Sequence, residues 1–425
     1  MVPTSPPVLR LLHTSDWHLG LELRGHDRLP EQRRFLRWLL DLVAQEAVDA
    51  LLIAGDVYDV ANPPVAAQAA FAEFLVEFRR RLPGATVVVV AGNHDSAGRL
   101  ELPRAFAEAI GGVHLVGSLG LEAEERHIVP LRDATGAIGA VCLAVPFPRT
   151  SDLDCRLQEG ESPDQAYARS VDALYRKLST RVAEIHAGVP VVAMGHLTLA
   201  GSARAGSERV LIGGLESVPA SALSDHADYV ALGHIHRAQR AGSDHARYCG
   251  SPLAMDFDER SNQHQVLVVD LAGPGDPPTI RPIEVPEFVP LIRLPEKPGS
   301  WSLLEEAVRV FDWSPWKDAP IDDRPLVELQ FLSTGTESDL RRRTLDLCAG
   351  MPFRLAGSPR ALDPQAADSS PTEDVRRAVD LAAGDAPLEL FRAHWASRFG
   401  TDPPGEVDAC FREVLDSVRI GRDSA

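Results

Sequence analysis

From residue 8 to about 272 the chain alternates short, unbroken apolar runs with longer stretches whose apolar residues recur at helical spacing. Leu9–Thr14, Leu51–Ala54, Thr86–Ala91, Val191–Met194 and Tyr229–Leu232 are too short for ordinary helices. Such runs predict strands buried on both faces, as in parallel sheets. Between them, Pro30–Ala47 puts Phe35, Leu36, Leu39, Leu40 and Val43 on one helical face, and Val65–Arg81 repeats Phe71, Phe74, Leu75 and Phe78 at i, i+3, i+4, i+7. A shorter helix is expected over Pro103–Ile110. This order argues for a sheet covered by helices. Strands Ile128–Leu131 and Ala137–Val145 and a helix Pro163–His186 follow. The last strands, Arg209–Ile212, Arg247–Cys249 and His264–Asp270, have no helices between them, so a second, more antiparallel sheet is expected. The predicted architecture is α/β, two sheets packed face to face with helices outside.

At Ala272–Pro278 a Gly/Pro-rich turn ends this pattern and a new one begins. Residues 280–357 read as a small α/β module: strand Leu291–Leu294, helix Ser302–Phe311, strand Leu326–Leu332, helix Glu337–Ala349, strand Phe353–Leu355. Residues 358–375 read as a flexible linker. Residues 376–421 read as a helical hairpin, Pro387–Arg398 and Glu406–Val418 around a Gly/Pro turn at 400–405, too small to hold its own core.

Five strand-like runs of the first region end on polar chemistry. Ser15-Asp16-Trp17-His18, Gly55-Asp56-Val57-Tyr58-Asp59, Gly92-Asn93-His94-Asp95, Gly195-His196 and Gly233-His234-Ile235-His236 each close one. In open α/β sheets, ligands bind at the carboxyl ends of strands. A lone Asp-x-His or Gly-His carries no weight, but five such elements in succession are hard to obtain by chance. Asp16, His18, Asp56, Asn93, His196, His234 and His236 supply nitrogen and oxygen donors without thiolate, which suits Mn²⁺ or Fe²⁺ better than Zn²⁺. Two ions about 3.5–4 Å apart clamp a phosphoryl group and make hydroxide at neutral pH. Asp56 is the natural bridge, with Asp16, His18 and His236 on one ion and Asn93, His196 and His234 on the other. His94, beside a ligand but not one itself, is placed to protonate the leaving oxygen. Asp59 is placed to accept from its far nitrogen and fix the tautomer.

Composition adds two constraints. The formal net charge is −18, and lysine occurs only at 177, 297 and 317, so the broad basic footprint of a freestanding nucleic-acid binder is missing. Local arginines, bound metal or a partner must then neutralise any phosphate backbone. Arg24, Arg28, Arg99, Arg204 and Arg209, each just beyond a ligand loop, are the candidate contacts. The five cysteines (142, 155, 249, 348, 410) form no C-x-x-C pair, which fits a reducing cytosol rather than a disulfide framework. No apolar run approaches the roughly 18 residues of a membrane span, and Met1–Pro7 lacks the order of a signal peptide.

The succession D-x-H, G-D-x-x-D, G-N-H-D/E, G-H, G-H-x-H resembles the calcineurin-like metallophosphoesterases, with every slot filled. Longer blocks resemble one branch of them, the bacterial SbcD nuclease subunits: His13–Gly20, Gly92–Ser96, Ala193–Thr198, Ala231–Ala238, Tyr248–Pro252 and Phe257–Glu259, with Pro387–Phe391 similar to that branch's terminal region. The resemblance implies a four-layer αββα fold and a nuclease holding two Mn²⁺ per subunit. Such enzymes degrade duplex ends 3′ to 5′, cut single strands and open hairpins in DNA repair, recombination and replication. It implies a cytoplasmic homodimer within a heterotetramer, joined to an SbcC-type ATPase whose coiled coil the terminal hairpin grips. Residues 280–357 become a capping domain that helps shape the DNA groove, and the Phe-rich helix Val65–Arg81 becomes a dimer contact. Archaeal and eukaryotic relatives carry His where this chain has Asp59, so a strand-handling role of that His does not transfer. A phosphatase or nucleotide phosphodiesterase on the same fold, or a non-catalytic scaffold, shares the ligand pattern. A scaffold usually loses ligands, and a small-molecule phosphatase needs no coiled-coil grip.

Overall fold

The computed structural model describes residues 9–120, 124–203, 218–333 and 339–362, and positions 392, 395, 404, 405, 407 and 408 beyond them. The chain parts into two compact units. The first comprises residues up to 297 with 302–330 and 339–360; the second comprises 298–301, 331–338 and 361–425.

In the first unit, β1 (Leu9–Thr14), β2 (Ala50–Ala54), β3 (Thr86–Val90) and β4 (Val113–Val116) are mutually parallel neighbours. Helices α1 (Leu29–Glu46), α2 (Val65–Arg81) and α3 (Arg104–Ile110) lie between them in sequence. A second sheet is built from β5 (Ile128–Arg132), β6 (Ile138–Ala144), β7 (Val191–His196), β8 (Tyr229–Gly233), β9 (Gln239–Ala241) and β10 (Ser243–Tyr248), with the long helix α4 (Pro163–Ile185) inserted before β7. Then β11 (Gln265–Leu271) and β12 (Thr279–Glu284) return to the first sheet. The orders are β12-β11-β1-β2-β3-β4 and β9-β10-β8-β7-β6-β5.

Two expectations are corrected. The second sheet is not mainly antiparallel: β10-β8, β8-β7 and β7-β6 pair in parallel, and only its two edges are antiparallel. Nor does the large domain stop at 272. Strand β12 pairs residue by residue with β11, Gln265 opposite Glu284 and Asp270 opposite Thr279, so the Gly/Pro stretch is a hairpin loop and not a domain boundary.

Burial follows the strand period of two. Leu51, Ile53, Val87 and Val89 face α1 and α2, where Phe35, Leu39, Val43, Phe71, Phe74 and Phe78 close one core. Their alternates Ala50, Leu52, Ala54, Val88 and Val90 meet Ala140, Cys142, Ala144, Met194 and Ala231 of the other sheet. Beyond that sheet, Val141, Leu143, Ala193, Val230 and Leu232 pack against Tyr167, Val171, Tyr175 and Leu178 of α4. The layers are thus helix, sheet, sheet, helix. Strands covered on both sides have no polar face, and for that reason they read as continuous apolar runs.

The smaller sheet holds β13 (Leu291–Leu294), β14 (Leu326–Leu332) and β15 (Arg354–Leu355), all parallel, with Leu291 opposite Leu326 and Leu326 opposite Arg354. Helices Trp301–Val310 and Leu340–Cys348 connect them. Trp313 is buried against Phe353 at 4.7 Å, so it packs this module. A fourth strand, Arg360–Leu362, also pairs with β14, so the linker expected at 358–375 begins as sheet; residues 363–375 and most of the terminal hairpin lie outside the described residues. Arg392 and Asp408, one from each predicted hairpin helix, form a two-pronged ion pair at 2.6 Å.

Candidate metal centre

The carboxyl ends of β1, β2, β3, β7 and β8 come together, and each expected ligand follows one of them. The loop after β1 is stitched to the loop after β2: Asp16 N donates to Gly55 O, His18 N to Asp56 O and Leu19 N to Val57 O at 2.9–3.0 Å. Asp16, His18, Asp56 and His234 all have left-handed backbone, with φ of 54°, 45°, 49° and 94°. Non-glycine residues hold such angles only where their surroundings impose them. Two glycines are required for space. A Cβ on Gly55, itself at φ +90°, would overlap the His196 ring, and one on Gly92 would overlap the Asp56 carboxylate. Gly92 is thus required for space and not for a left-handed turn, since its φ is not left-handed.

Among the described residues three donor groups result, of which one, His18 with Asp59 and His94, shares His18 with the first of the two expected groups. Ligand atoms of Asp16, His18 and His236 lie within 4.8 Å of one another, and so do those of Asp56, His196 and His234. Asn93 Oδ1 joins the second group, 3.0 Å from His196 Nε2 and 2.9 Å from His234 Nδ1. Asp56 Oδ2 faces both groups, 3.7 Å from His18 Nε2 and 3.2 Å from His196 Nε2. All but Asn93 are buried.

The surroundings orient the rings. His196 Nδ1 lies 2.8 Å from Ala54 O, His18 Nδ1 lies 3.2 Å from Asp59 Oδ1, and His236 Nδ1 lies 2.8 Å from Glu259 Oε1. A partner on one ring nitrogen fixes the tautomer and presents the other to a metal. His18 Nε2 is buried with no hydrogen-bond partner. An orphaned imidazole nitrogen aimed at two carboxylates and a second imidazole fits a divalent cation. The charges agree. Burial alone would raise the Asp56 carboxyl, but His196 and His18 hold it well below the usual range. Burial lowers His196, and Asp56 lifts it past its ordinary value to about 9. The pocket therefore favours positive charge.

One expected contact is replaced. His94 Nδ1 sits 2.6 Å from the backbone carbonyl of Asp59, while the Asp59 carboxylate serves His18. The tautomer of His94 is thus fixed by main chain, because the loop after β2 turns the Asp59 side chain toward the first donor group.

The roles of three further residues escape sequence reasoning. Asp95 is buried and accepts from Gly92, Val57 and Tyr58 N at 2.8–3.1 Å, tying the loops after β2 and β3 together. Burial and the Asp56 charge push its carboxyl up to about 6 despite those three donors. Glu259 is fully buried and also accepts from Met255 N at 2.7 Å. Phe147, just past β6, stands half-buried with its ring 6.3 Å from that of His196 and 6.4 Å from that of His234. Asp95 stands in the Gly92–Ser96 block and Glu259 in the Phe257–Glu259 block, but neither block reveals the role of its carboxylate, and nothing pointed to Phe147.

Of the five arginines expected to meet DNA, one is overturned. Arg28 is 3% exposed and paired with Glu31 at 2.5 Å, so it is a structural ion pair and not a DNA contact. Arg24 is part-exposed between Asp256 and Glu328 at 3.4 and 3.6 Å. Arg99 lines an apolar groove with Phe71, Leu75, Val76, Leu102 and Phe106. Arg204 and Arg209, and the strand expected at Arg209–Ile212, lie outside the described residues.

A helix–sheet–sheet–helix sandwich with paired Asp/His donor groups at its strand ends defines a metal-dependent phosphoesterase. The family profile described as calcineurin-like phosphoesterase matches residues 9–238, and the chain belongs to that family. Within it the chain sides with the SbcD proteins. It is 37% identical to the SbcD component of the SbcCD nuclease from Rhodobacter capsulatus over 386 residues, 88% of this chain and 93% of that one. Against the SbcD component from Escherichia coli K12 it is 32% identical, covering 82% of this chain and 84% of the other. For that of Bacillus subtilis the figures are 35%, 72% and 75%.

Proposed function

We propose that this chain is the nuclease subunit of an SbcCD-type complex, a manganese-dependent enzyme that degrades duplex DNA ends 3′ to 5′ and cuts single strands and hairpins. The observation that carries the reading is the meeting of the two donor groups on Asp56 Oδ2. Asp16, His18 and His236 would hold one Mn²⁺, Asn93, His196 and His234 the other, and Asp56 both. Bound there, such ions supply Lewis acidity and an activated water. The chain's own groups do the rest. Ala54 O, the Asp59 carboxylate and Glu259 keep the imidazoles in register. His94, its Nδ1–H donated to the Asp59 carbonyl, takes up a second proton at Nε2 and as the imidazolium delivers that proton to the departing oxygen, returning to the neutral Nδ1–H form.

The partner is an SbcC-type ATPase held by the terminal hairpin at 376–421, and the working form is a homodimer within a heterotetramer in the cytoplasm. The apolar groove between α2 and α3 supports the dimer. Its exposed residues are Val76, Leu102, Phe106 and Ile110, not the phenylalanines of α2, which are buried at 0–2% exposure. The module at 291–355 is the cap of the DNA groove. One assay tests the whole: purified chain with and without SbcC, ATP and Mn²⁺ on a blocked-end hairpin duplex. Opening of the hairpin only with all components is expected. Hydrolysis confined to small phosphomonoesters overturns the nuclease assignment in favour of a phosphatase.

A further inference from the structure

Three consecutive side chains in the turn Phe257–Glu259 point to three different tasks. Phe257 is fully buried in a cluster with Leu23, Val289, Leu291, Leu326 and Ala356, most of which belong to the small parallel sheet or its flanks. Asp258 is 59% exposed, and its carboxylate lies 2.7 Å from Arg293 Nη2 on β13. Arg293 is itself nearly buried and is bonded through Nε to buried Glu328 of β14 at 2.5 Å. Glu259 turns the other way, to His236 Nδ1 at 2.8 Å and Met255 N at 2.7 Å. The stretch after β10 completes the frame, since Ser251 N donates to His236 O at 3.0 Å.

The segment from Ser251 to Glu259 is therefore clamped on one side by the small sheet and on the other by a metal-ligand ring. We infer that the turn Phe257–Glu259 is a rigid link through which the small sheet positions His236, so that the Arg293–Asp258 pair tunes the affinity of one metal position. The inference rests on the metal reading above. Its physical basis is the steepness of ligand geometry: a partner of a ligating imidazole is worth about 10–100-fold in metal affinity. Glu259 cannot shift to follow a displaced turn, because its second oxygen is committed to Met255 N. Loosening the turn at Asp258 thus moves the oxygen on which the His236 ring depends. Glu259 is a positioning residue, and Arg293 and Asp258 hold it in place. The exposure of Asp258 makes this link accessible to whatever engages the small sheet.

The test measures Mn²⁺ binding to the full chain by calorimetry and by electron paramagnetic resonance of free Mn²⁺, with thermal unfolding in parallel. The wild type is expected to bind two ions. Asp258→Asn and Arg293→Met should each weaken one of them about tenfold and leave the other within about twofold. Glu259→Ala should weaken the same one by about 10–100-fold, and Glu259→Gln should recover part of the loss. Arg281→Met, which breaks the unrelated surface pair with Glu46, should change neither. Should Arg293→Met fail to fold, Asp258→Asn decides alone, because it leaves the Arg293–Glu328 pair intact. If both ions bind Asp258→Asn with wild-type affinity, the link is wrong while the metal site stands. If the wild type binds fewer than two, the metal reading itself fails.

Discussion

At the scale of single residues, the seven donors were legible because each directly follows an apolar run, and the run itself announces the strand end. What was not legible was support from a distance. Asp95 serves loops 38 residues away and Glu259 serves a ring 23 residues away, and no local spacing encodes either. Removing Asp56 should cost both metal positions, so Asp56→Ala is expected to bind no Mn²⁺ stoichiometrically in calorimetry; loss of one ion alone would contradict the shared role. His94→Ala should keep both ions and lose phosphodiester cleavage by at least about a hundredfold, the usual contribution of a positioned acid. Nuclease rate retained in that variant would remove His94 from the proton path. His13 allows a pH prediction. It is buried between Tyr229 Oη and Leu232 O, and burial pushes its imidazole down to about 3. The unfolded chain takes up that proton near pH 6.5, whereas the folded chain refuses it until about 3. Stability contributed by neutral His13 is therefore full above pH 6.5 and falls as pH drops through that window, by up to about 1.4 kcal/mol per unit. Urea unfolding from about pH 7 to 5 in chelator should show a shallower fall for His13→Gln; an unchanged slope would assign the acid sensitivity elsewhere.

Elements were legible in kind but not always in neighbourhood. The period-two and helical patterns marked most strands and helices, yet which strand lies beside which is set by crossovers. The inserted helix α4 makes β6 and β7 parallel, as a helix between two strands predicts, whereas β8 and β10, with no helix between them, are parallel too, against the expectation from spacing. Strand β12 carries Arg281 and Pro282 and has little apolar signal, because it is an exposed edge. Helix α2 shows how one pattern can hide two uses. Its phenylalanines fill the core, so Phe74→Ala is expected to cost about 3–5 kcal/mol in denaturant unfolding. The opposite side carries Val76, 57% exposed, facing the groove that also holds Phe106. Val76→Glu with Phe106→Glu should leave stability within about 1 kcal/mol and convert a dimer to a monomer in sedimentation. A dimer surviving both changes would place the contact between copies elsewhere.

For the whole molecule, the acidic balance was the main argument against a DNA enzyme, and burial of Arg28 removes one of the expected local compensations. The charge needed at the phosphodiester must then come largely from bound cations and from the partner. Truncation before Pro387 is accordingly expected to abolish co-purification with SbcC while sparing both Mn²⁺ positions; a complex that persists would show that the grip lies outside the hairpin.

Four of the seven donors sit on backbone that L-residues avoid, with φ between 45° and 94°. That conformation is held at Asp16, His18 and Asp56 by main-chain bonds between the loops and at His234 by its N–H on the Asp16 carboxylate, so the cradle is formed at folding and does not wait for its cargo. Cation exchange then becomes a matter of entry and exit rather than of refolding. On the proposed metal reading, the same geometry narrows what drift can do at positions 16, 18, 56 and 234: a replacement would have to both coordinate and tolerate a left-handed twist. β-Branched residues fail on either count, leaving a short list headed by asparagine.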